Sequence, residues 1–288
     1  MNSFPVKKIG IIGGGVVGKA LFRAYLGFCD VQIWDKQVEL STVGLITDVT
    51  KNADLVFLCL PTPQKTGTHE LDISAIHDVF RLIKMNNYSG ELQRINFVLK
   101  STVPIGTTES LHKEYQIKIS HSPEFLTERT AYEDAQMPAV NFIGLPEDMR
   151  ECFLPAESST SRSLLYNLYK SRFPGVKVNE LSSNETEAIK LITNAFFATK
   201  ITFFNEVYQL CNKLSISWED VRSGILADGR ISHSHTEVPG PDGGMGYGGK
   251  CLPKDTIQLM RHICGKDGGI VESILQTVIK SNSLTRKS

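Results

Sequence analysis

The chain has 288 residues and a mass of 32.0 kDa, and 41% of its residues are hydrophobic, enough for about two domains with a substantial core and no disulfide staples. Thirty-one basic side chains balance thirty-one acidic ones, which leaves no positive field for nucleic-acid phosphates or for an anionic membrane surface. Apolar stretches fall short of the ~20 residues that cross a bilayer, and Lys7-Lys8 leads into a glycine turn rather than a signal-peptide core, which predicts a cytoplasmic chain. The six cysteines, at 29, 59, 152, 211, 251 and 264, include no C-x-x-C pair, so neither a disulfide framework nor a metal site is expected.

In chain order, residues 8–12 form a short apolar run that stops at Gly13-Gly14-Gly15, and 17–28 read as a helix. Further strands are predicted at 31–34, ending at Asp35, at 55–60, ending at Pro61-Thr62-Pro63, and at 95–100, ending at Ser101-Thr102-Val103-Pro104. Two more follow at 117–120 and 140–143. Strands alternating with helical spacers predict a parallel sheet wound in βαβ units, whose carboxyl ends are where such sheets bind ligands. Residues 146–178 read as a linker with a helix near 164–170. From Ser182 the period lengthens to about 3.6. Ser182-Ser183-Asn184-Glu185 fits a capping box, and the run to Lys213 has no proline or glycine, so one helix of ~30 residues and ~45 Å is predicted. The domain boundary is placed near 178, giving an α/β domain over 1–178 and a helical domain over 179–288. A helix at 218–227 precedes a loop over 228–249 with seven glycines and two prolines, too long for a mere turn and suited to cover a ligand. The end, 255–283, reads as helical with a break at 265–269.

Gly13-Gly14-Gly15-Val16-Val17-Gly18 fits G-x-G-x-x-G between a strand and a helix, where glycines let the backbone approach a pyrophosphate at the helix N-terminus. Asp35 follows Gly15 by twenty residues, where a carboxylate accepts hydrogen bonds from ribose hydroxyls and repels a 2′-phosphate. NAD is therefore favoured over NADP, against the competing reading of a glycine turn needed only for packing. Cys251 follows Gly248-Gly249, and Pro253 opens a helix just after it. Helix amides, the helix dipole and Lys254 would favour a thiolate there, although a cysteine taken alone is more often an inert core residue. Lys190 and Asn194, four apart, share a helix face among apolar neighbours, so Lys190 is either a snorkelling surface residue or a partly buried cation aimed at a ligand. Glu124 and Glu128 are helix-start charges or general acid–base groups.

Together these segments resemble the UDP-glucose/GDP-mannose dehydrogenase family. The match runs through Gly13 to Gly18, Leu60-Pro61-Thr62-Pro63, Ser101-Thr102-Val103-Pro104, Ser122-Pro123-Glu124-Phe125-Leu126, the helix around Lys190 and Gly248-Gly249-Lys250-Cys251-Leu252-Pro253-Lys254-Asp255. The resemblance implies a Rossmann-type doubly wound parallel sheet followed by an all-helical substrate and dimerisation domain. It also implies NAD-dependent, four-electron oxidation of a nucleotide sugar's C6 alcohol to the carboxylate, most simply UDP-glucose to UDP-glucuronate. Cys251 would then be the nucleophile. Lys190, Asn194 and Asp255 would assist at the reacting carbon, Glu124 would exchange protons, and Thr102 and Glu128 would line the nicotinamide site. Cofactor contacts are implied for Gly13, Gly14, Gly15, Val16, Val17, Gly18, Asp35, Leu60, Pro61, Thr62, Pro63, Ser101, Thr102, Val103, Glu128 and Lys254. Substrate contacts are implied for Glu124, Phe125, Leu126, Thr127, Glu128, Lys190, Asn194, Tyr247 and Gly248, and for Arg230 reaching the substrate of a partner subunit in a homodimer. Compared with the family pattern, the chain is a compact form without the C-terminal nucleotide-binding domain, and its 230–251 loop is longer. Two other readings stay open. One is a single-hydride enzyme like the 3-hydroxyacid and 6-phosphogluconate dehydrogenases, which need no cysteine; the other is a nucleotide-binding protein that has lost turnover.

Overall fold

Leu55 and Phe57 of one strand turn to one side while Val56 and Leu58 turn to the other, and all four are buried, as a strand covered on both faces requires. The computed structural model, which describes residues 6–86, 91–127, 129–151, 163–265 and 273–286, places this strand inside a seven-stranded sheet of order β2-β1-β3-β4-β5-β6-β7. In chain order its elements are β1 (Lys8–Ile12), α1 (Val16–Tyr25), β2 (Asp30–Trp34), α2 (Ile46–Thr50), β3 (Leu55–Leu58), α3 (Ser74–Asn86), α4 (Glu91–Arg94) and β4 (Asn96–Leu99). There follow α5 (Thr107–Tyr115), β5 (Lys118–His121), α6 (Ala131–Gln136), β6 (Val140–Leu145), α7 (Glu147–Glu151), α8 (Leu164–Arg172) and β7 (Lys177–Ser182). Every neighbouring pair is parallel except β5 with β6, which meet antiparallel at His121 and Gly144. One face packs Tyr25, Leu168, Tyr169 and Phe173 from α1 and α8 on Ile9, Phe57 and Val98; the other packs Ile76, Phe80 and Leu111 from α3 and α5 on Val56, Phe97 and Ile119. Helices on both faces make this the doubly wound Rossmann-type sheet that the strand and helix alternation predicts.

Six strands lie where the apolar runs place them. The seventh, Lys177–Ser182, alternates between exposed and partly buried residues and has no apolar run, so periodicity does not reveal it; it pairs along its whole length with β6. The expected boundary near 178 falls inside this strand, and the chain instead divides into two compact units further on. The first is Met1–Pro63 with Asp72–Lys190, and the second is Gln64–Leu71 with Leu191–Ser288.

Helix α9 (Ser183–Leu214) runs 32 residues, about 48 Å at 1.5 Å per residue. Its start is the expected capping box: Ser182 Oγ accepts from Glu185 N at 3.2 Å, and the Glu185 carboxylate accepts from Ser182 N at 2.7 Å. The second unit continues with α10 (Trp218–Ala227), α11 (Leu252–Cys264) and α12 (Ile274–Thr285). Phe204 and Tyr208 of α9 meet Trp218 edge-on, which anchors α10. Ala198, Tyr247 and Val278 form a second cluster that joins α9, the glycine-rich loop and α12. The excursion Gln64–Leu71 belongs to this unit because α11 holds it: Leu71 N donates to Gln258 Oε1 at 3.0 Å, and Arg261 donates to Thr68 O at 2.6 Å and to Glu70 at 2.8 Å. No helix among the described residues is long and apolar enough to cross a membrane.

Candidate active site

At the first turn after β1 three glycines leave the backbone bare of side chains. Gly13 has φ +105°, a left-handed conformation, and a side chain there would run into the Cys59 carbonyl; one at Gly18 would strike the Gly13 carbonyl. Gly15, at the N-terminus of α1, faces open space instead, so a pyrophosphate can approach its amide. Val16 is exposed beside it, and Val17 lies partly buried one residue on. Asp35 closes the turn by accepting from Gly14 N at 2.7 Å and from Gln37 N at 2.8 Å. These residues fit a dinucleotide on both counts, an open glycine amide at a helix N-terminus and a carboxylate at the end of β2.

The ends of β3 and β4 are tied together. Ser101 Oγ accepts from Leu60 N at 2.9 Å and donates to Leu60 O at 2.7 Å, and Thr62 Oγ1 donates to Thr102 O at 2.7 Å. Thr62, Ser101, Thr102 and Val103 are buried, while Pro61 and Pro63 are exposed. Beyond β5, Glu124 and Lys190 meet. Lys190 Nζ lies 3.1 Å from Glu124 Oε1 and donates to Glu124 O at 2.7 Å, while Oε2 accepts from Leu126 N at 2.7 Å. Lys190 is 5% exposed, so it is the buried cation of the two readings, not a snorkelling one. Its ammonium also sits 5.3 Å from the centre of the Phe125 ring, which packs on Phe142. Thr127 is exposed and donates to Asp134; Glu128 lies outside the described residues. A cavity of about 240 Å³ opens here, lined by Glu124, Phe125, Tyr25, Tyr169, Asn141 and Lys100.

Several polar groups beneath this segment escape a reading of the sequence. Lys100 is buried at the end of β4, 3.4 Å from Ser122 Oγ and from Pro123 O, and burial lowers its ammonium to about 8. Ser122 in turn pairs with the Tyr169 hydroxyl at 2.7 Å. His121 meets Thr186 at 2.8 Å, and burial, aided by Lys100, lowers it to about 3. Glu187 accepts from Gly106 N, Thr108 N and Thr108 Oγ1 at 2.6, 2.8 and 2.6 Å, yet burial raises its carboxyl to about 7. A lysine closing an otherwise apolar strand is the one signal that could have flagged this network, since a buried ammonium must find partners.

In the second unit, Asn194 Nδ2 donates to Asp255 Oδ2 at 2.6 Å and Lys254 Nζ to Asp255 Oδ1 at 2.6 Å, so the fully buried Asp255 is held at both oxygens. Asp255 N donates to Cys251 O at 3.0 Å, which places Cys251 at the N-terminal cap of α11, where it is exposed. Gly248 lies against Arg286, and the Tyr247 ring is buried between α9 and α12. Arg230 is exposed and pairs with Asp228.

A mostly parallel doubly wound sheet with an open glycine turn at the end of its first strand places the chain in the Rossmann class of folds. Two domain models of the UDP-glucose/GDP-mannose dehydrogenase family match the chain, the NAD binding domain over residues 30–167 and the central domain over 184–284. The chain belongs to this family, and its cofactor is NAD. It is 30% identical over 254 residues to UDP-glucose 6-dehydrogenase of Campylobacter jejuni, covering 86% of this chain and 58% of the relative. To the enzyme of the same name in Rhizobium meliloti it is 32% identical, covering 84% and 54%. The chain thus spans little more than half the length of these relatives. The fold is shared with the UDP-glucose dehydrogenase of Pyrobaculum islandicum, at a TM-score of 0.77 and 24% identity over 99% of this chain and 69% of that one.

Proposed function

We propose that the chain oxidises the C6 alcohol of UDP-glucose to the carboxylate in two successive oxidations, acting as a homodimer. The observation that supports this most directly is on α9. Lys190 and Asn194, one turn apart, are both buried, and each holds a carboxylate, Glu124 at 3.1 Å and Asp255 at 2.6 Å. Bound NAD supplies the hydride acceptor for both oxidations. The Gly13 to Gly18 turn, Asp35 and the Leu60 to Pro63 and Ser101 to Val103 segments would hold it, and the family resemblance adds Glu128 and Lys254.

The residues divide the chemistry by charge. Lys190 and the second amide hydrogen of Asn194 stabilise the oxyanions that develop at C6. The Cys251 thiolate attacks the aldehyde carbon, and loss of hydride from the resulting thiohemiacetal leaves a thioester. Water then cleaves the C–S bond, Glu124 accepts the water's proton, and the carboxylate leaves as the thiol is restored. Asp255 fixes Asn194 and Lys254, and Thr102 borders the nicotinamide. Phe125, Leu126, Thr127, Tyr247 and Gly248 shape the sugar site, and Arg230 extends to the partner's substrate.

Incubation with UDP-glucose, with GDP-mannose and UDP-N-acetyl sugars in parallel, tests the reading. Two NADH per UDP-glucose consumed are expected, and Cys251→Ser abolishes acid formation. One NADH per substrate points to single-hydride chemistry, and acid production by the serine variant removes Cys251 from the mechanism.

A further inference from the structure

The loop that runs into Cys251 has little in its own sequence to hold it. Five of the seven residues 243–249 are glycine, the residue whose backbone loses most freedom on ordering. Local bonds close only its start, Gly243 N donating to Gly240 O at 2.8 Å and Gly244 N to Asp242 Oδ1 at 3.0 Å, and beyond them side chains of two helices in the same unit hold it. From α9, Asn205 Oδ1 accepts from Gly246 N at 2.8 Å. From α12, Asn282 takes Tyr247 at both backbone atoms, its Oδ1 accepting from Tyr247 N at 2.7 Å and its Nδ2 donating to Tyr247 O at 3.0 Å. Arg286, one turn further on, reaches back over the same segment. Its Nη2 pairs with Asp242 Oδ2 at 2.5 Å, and its Nη1 donates to Met245 O and Gly246 O, each at 3.3 Å.

The glycines are the complement of this grip. A methyl group at Gly248 would overlap the Arg286 guanidinium, and one at Gly246, where φ is +70°, would overlap the Asn282 carboxamide. The Tyr247 ring, buried with Ala198 and Val278, pins the middle of the segment. Arg286 and Asp242 are themselves partly exposed, at 35% and 50% of their side chains, so their ion pair adds little to global stability. What it controls is local, namely the path of the backbone just before Cys251.

We propose that Asn282 and Arg286 are positioning residues: α12 sets the course of the 242–248 backbone and thereby delivers Cys251 to the N-terminal cap of α11. This rests on the reading of Cys251 as the nucleophile. A thiol kept at that cap faces the positive end of a helix, and one displaced from it does not. The fork of Arg286 matters because it serves a carboxylate and two carbonyls at once, which a lysine's point charge cannot reproduce.

The test uses the whole chain and a small alkylating probe, iodoacetamide, so it is independent of turnover. Cys251 labelling is followed by mass spectrometry as a function of pH, with amide hydrogen exchange over 243–249 and thermal midpoints alongside. In Asn282→Ala and Arg286→Ala the labelling profile moves to higher pH, and the rate at neutral pH falls about three- to tenfold, as expected of a thiol leaving a helix N-terminus. The Gly246 and Tyr247 amides exchange faster, while the thermal midpoint stays within a few degrees. Gly248→Ala expels the guanidinium without removing it, so it reproduces the Arg286→Ala profile and adds nothing when combined with it. Arg286→Lys recovers only part of the wild-type rate. Unchanged labelling and exchange in both Asn282→Ala and Arg286→Ala overturn the proposal. Acid formation that survives Cys251→Ser overturns the underlying mechanism instead and leaves the labelling result standing.

Discussion

At Asp35 a single carboxylate accepts from Gly14 N and Gln37 N, and in the proposed site this group also meets the cofactor's ribose. A fixed anion there opposes a 2′-phosphate. The chain is expected to bind NAD more than tenfold tighter than NADP, a difference of at least ~1.4 kcal/mol. Calorimetric titration with both cofactors checks this, and Asp35→Asn should bring the two affinities together. Equal wild-type affinities would mean that Asp35 turns away from the ribose. The positions of Asp35 at the end of β2, of the glycine turn and of Cys251 at the head of α11 were legible in the sequence because each depends on spacing along one short segment. Lys100, Glu187, Asn282 and Arg286 were not, because their partners come from backbone remote in sequence: Glu187 holds an amide 81 residues away and Asn282 one 35 residues away. Nothing local to those residues announces such a bond.

The start of α9 joins two elements of opposite titration behaviour. Glu187 binds the N-terminus of α5 with its carboxyl raised from 4.5 to about 7, so the folded chain holds this proton longer than the unfolded one and stability falls as pH rises through that range. His121, at the end of β5, is lowered from 6.5 to about 3, so the folded chain refuses a proton that the unfolded one accepts, and stability falls as pH drops below 6.5. Between pH 4.5 and 6.5 the two slopes oppose each other, each worth about 3 kcal/mol over roughly two pH units. The wild-type stability is therefore expected to be nearly flat across this window. Glu187→Gln should become more stable with rising pH and His121→Asn less, as read from urea midpoints at several pH values; wild-type slopes in both variants would refute the assignment. Elements were easiest to read where burial is complete. Leu55–Leu58 is buried on both faces and stands out as an apolar run, whereas Lys177–Ser182 has a half-exposed pattern that alternation cannot separate from a loop.

At the scale of the whole molecule, α9 carries a long row of exposed apolar side chains. Ile192, Phe196, Phe203, Leu210 and Leu214 are each more than half exposed, and their spacing of four, seven, seven and four residues puts them along one stripe. A second copy of the same stripe covers it in the proposed homodimer. Light scattering should give a dimer, and Phe203→Glu should give a monomer that keeps its helical content; a wild-type monomer would exclude the pairing. The length and cap of this helix were legible because nothing interrupts it, and the division into units was not, because it depends on where Gln64–Leu71 goes.

That segment has a consequence for how the protein comes into being. Its anchors, Gln258 and Arg261, lie 187 to 193 residues further along the chain than the groups they bind. These eight residues can therefore meet their anchors only after residue 261 has been synthesised. The helical unit is not a module that completes itself after the sheet has folded. One piece of it lies within the sheet's own sequence, so a fragment that begins at α9 would lack the Gln64–Leu71 segment that Gln258 and Arg261 bind, and this unit is completed only by contacts of long sequence separation, the kind that form slowly.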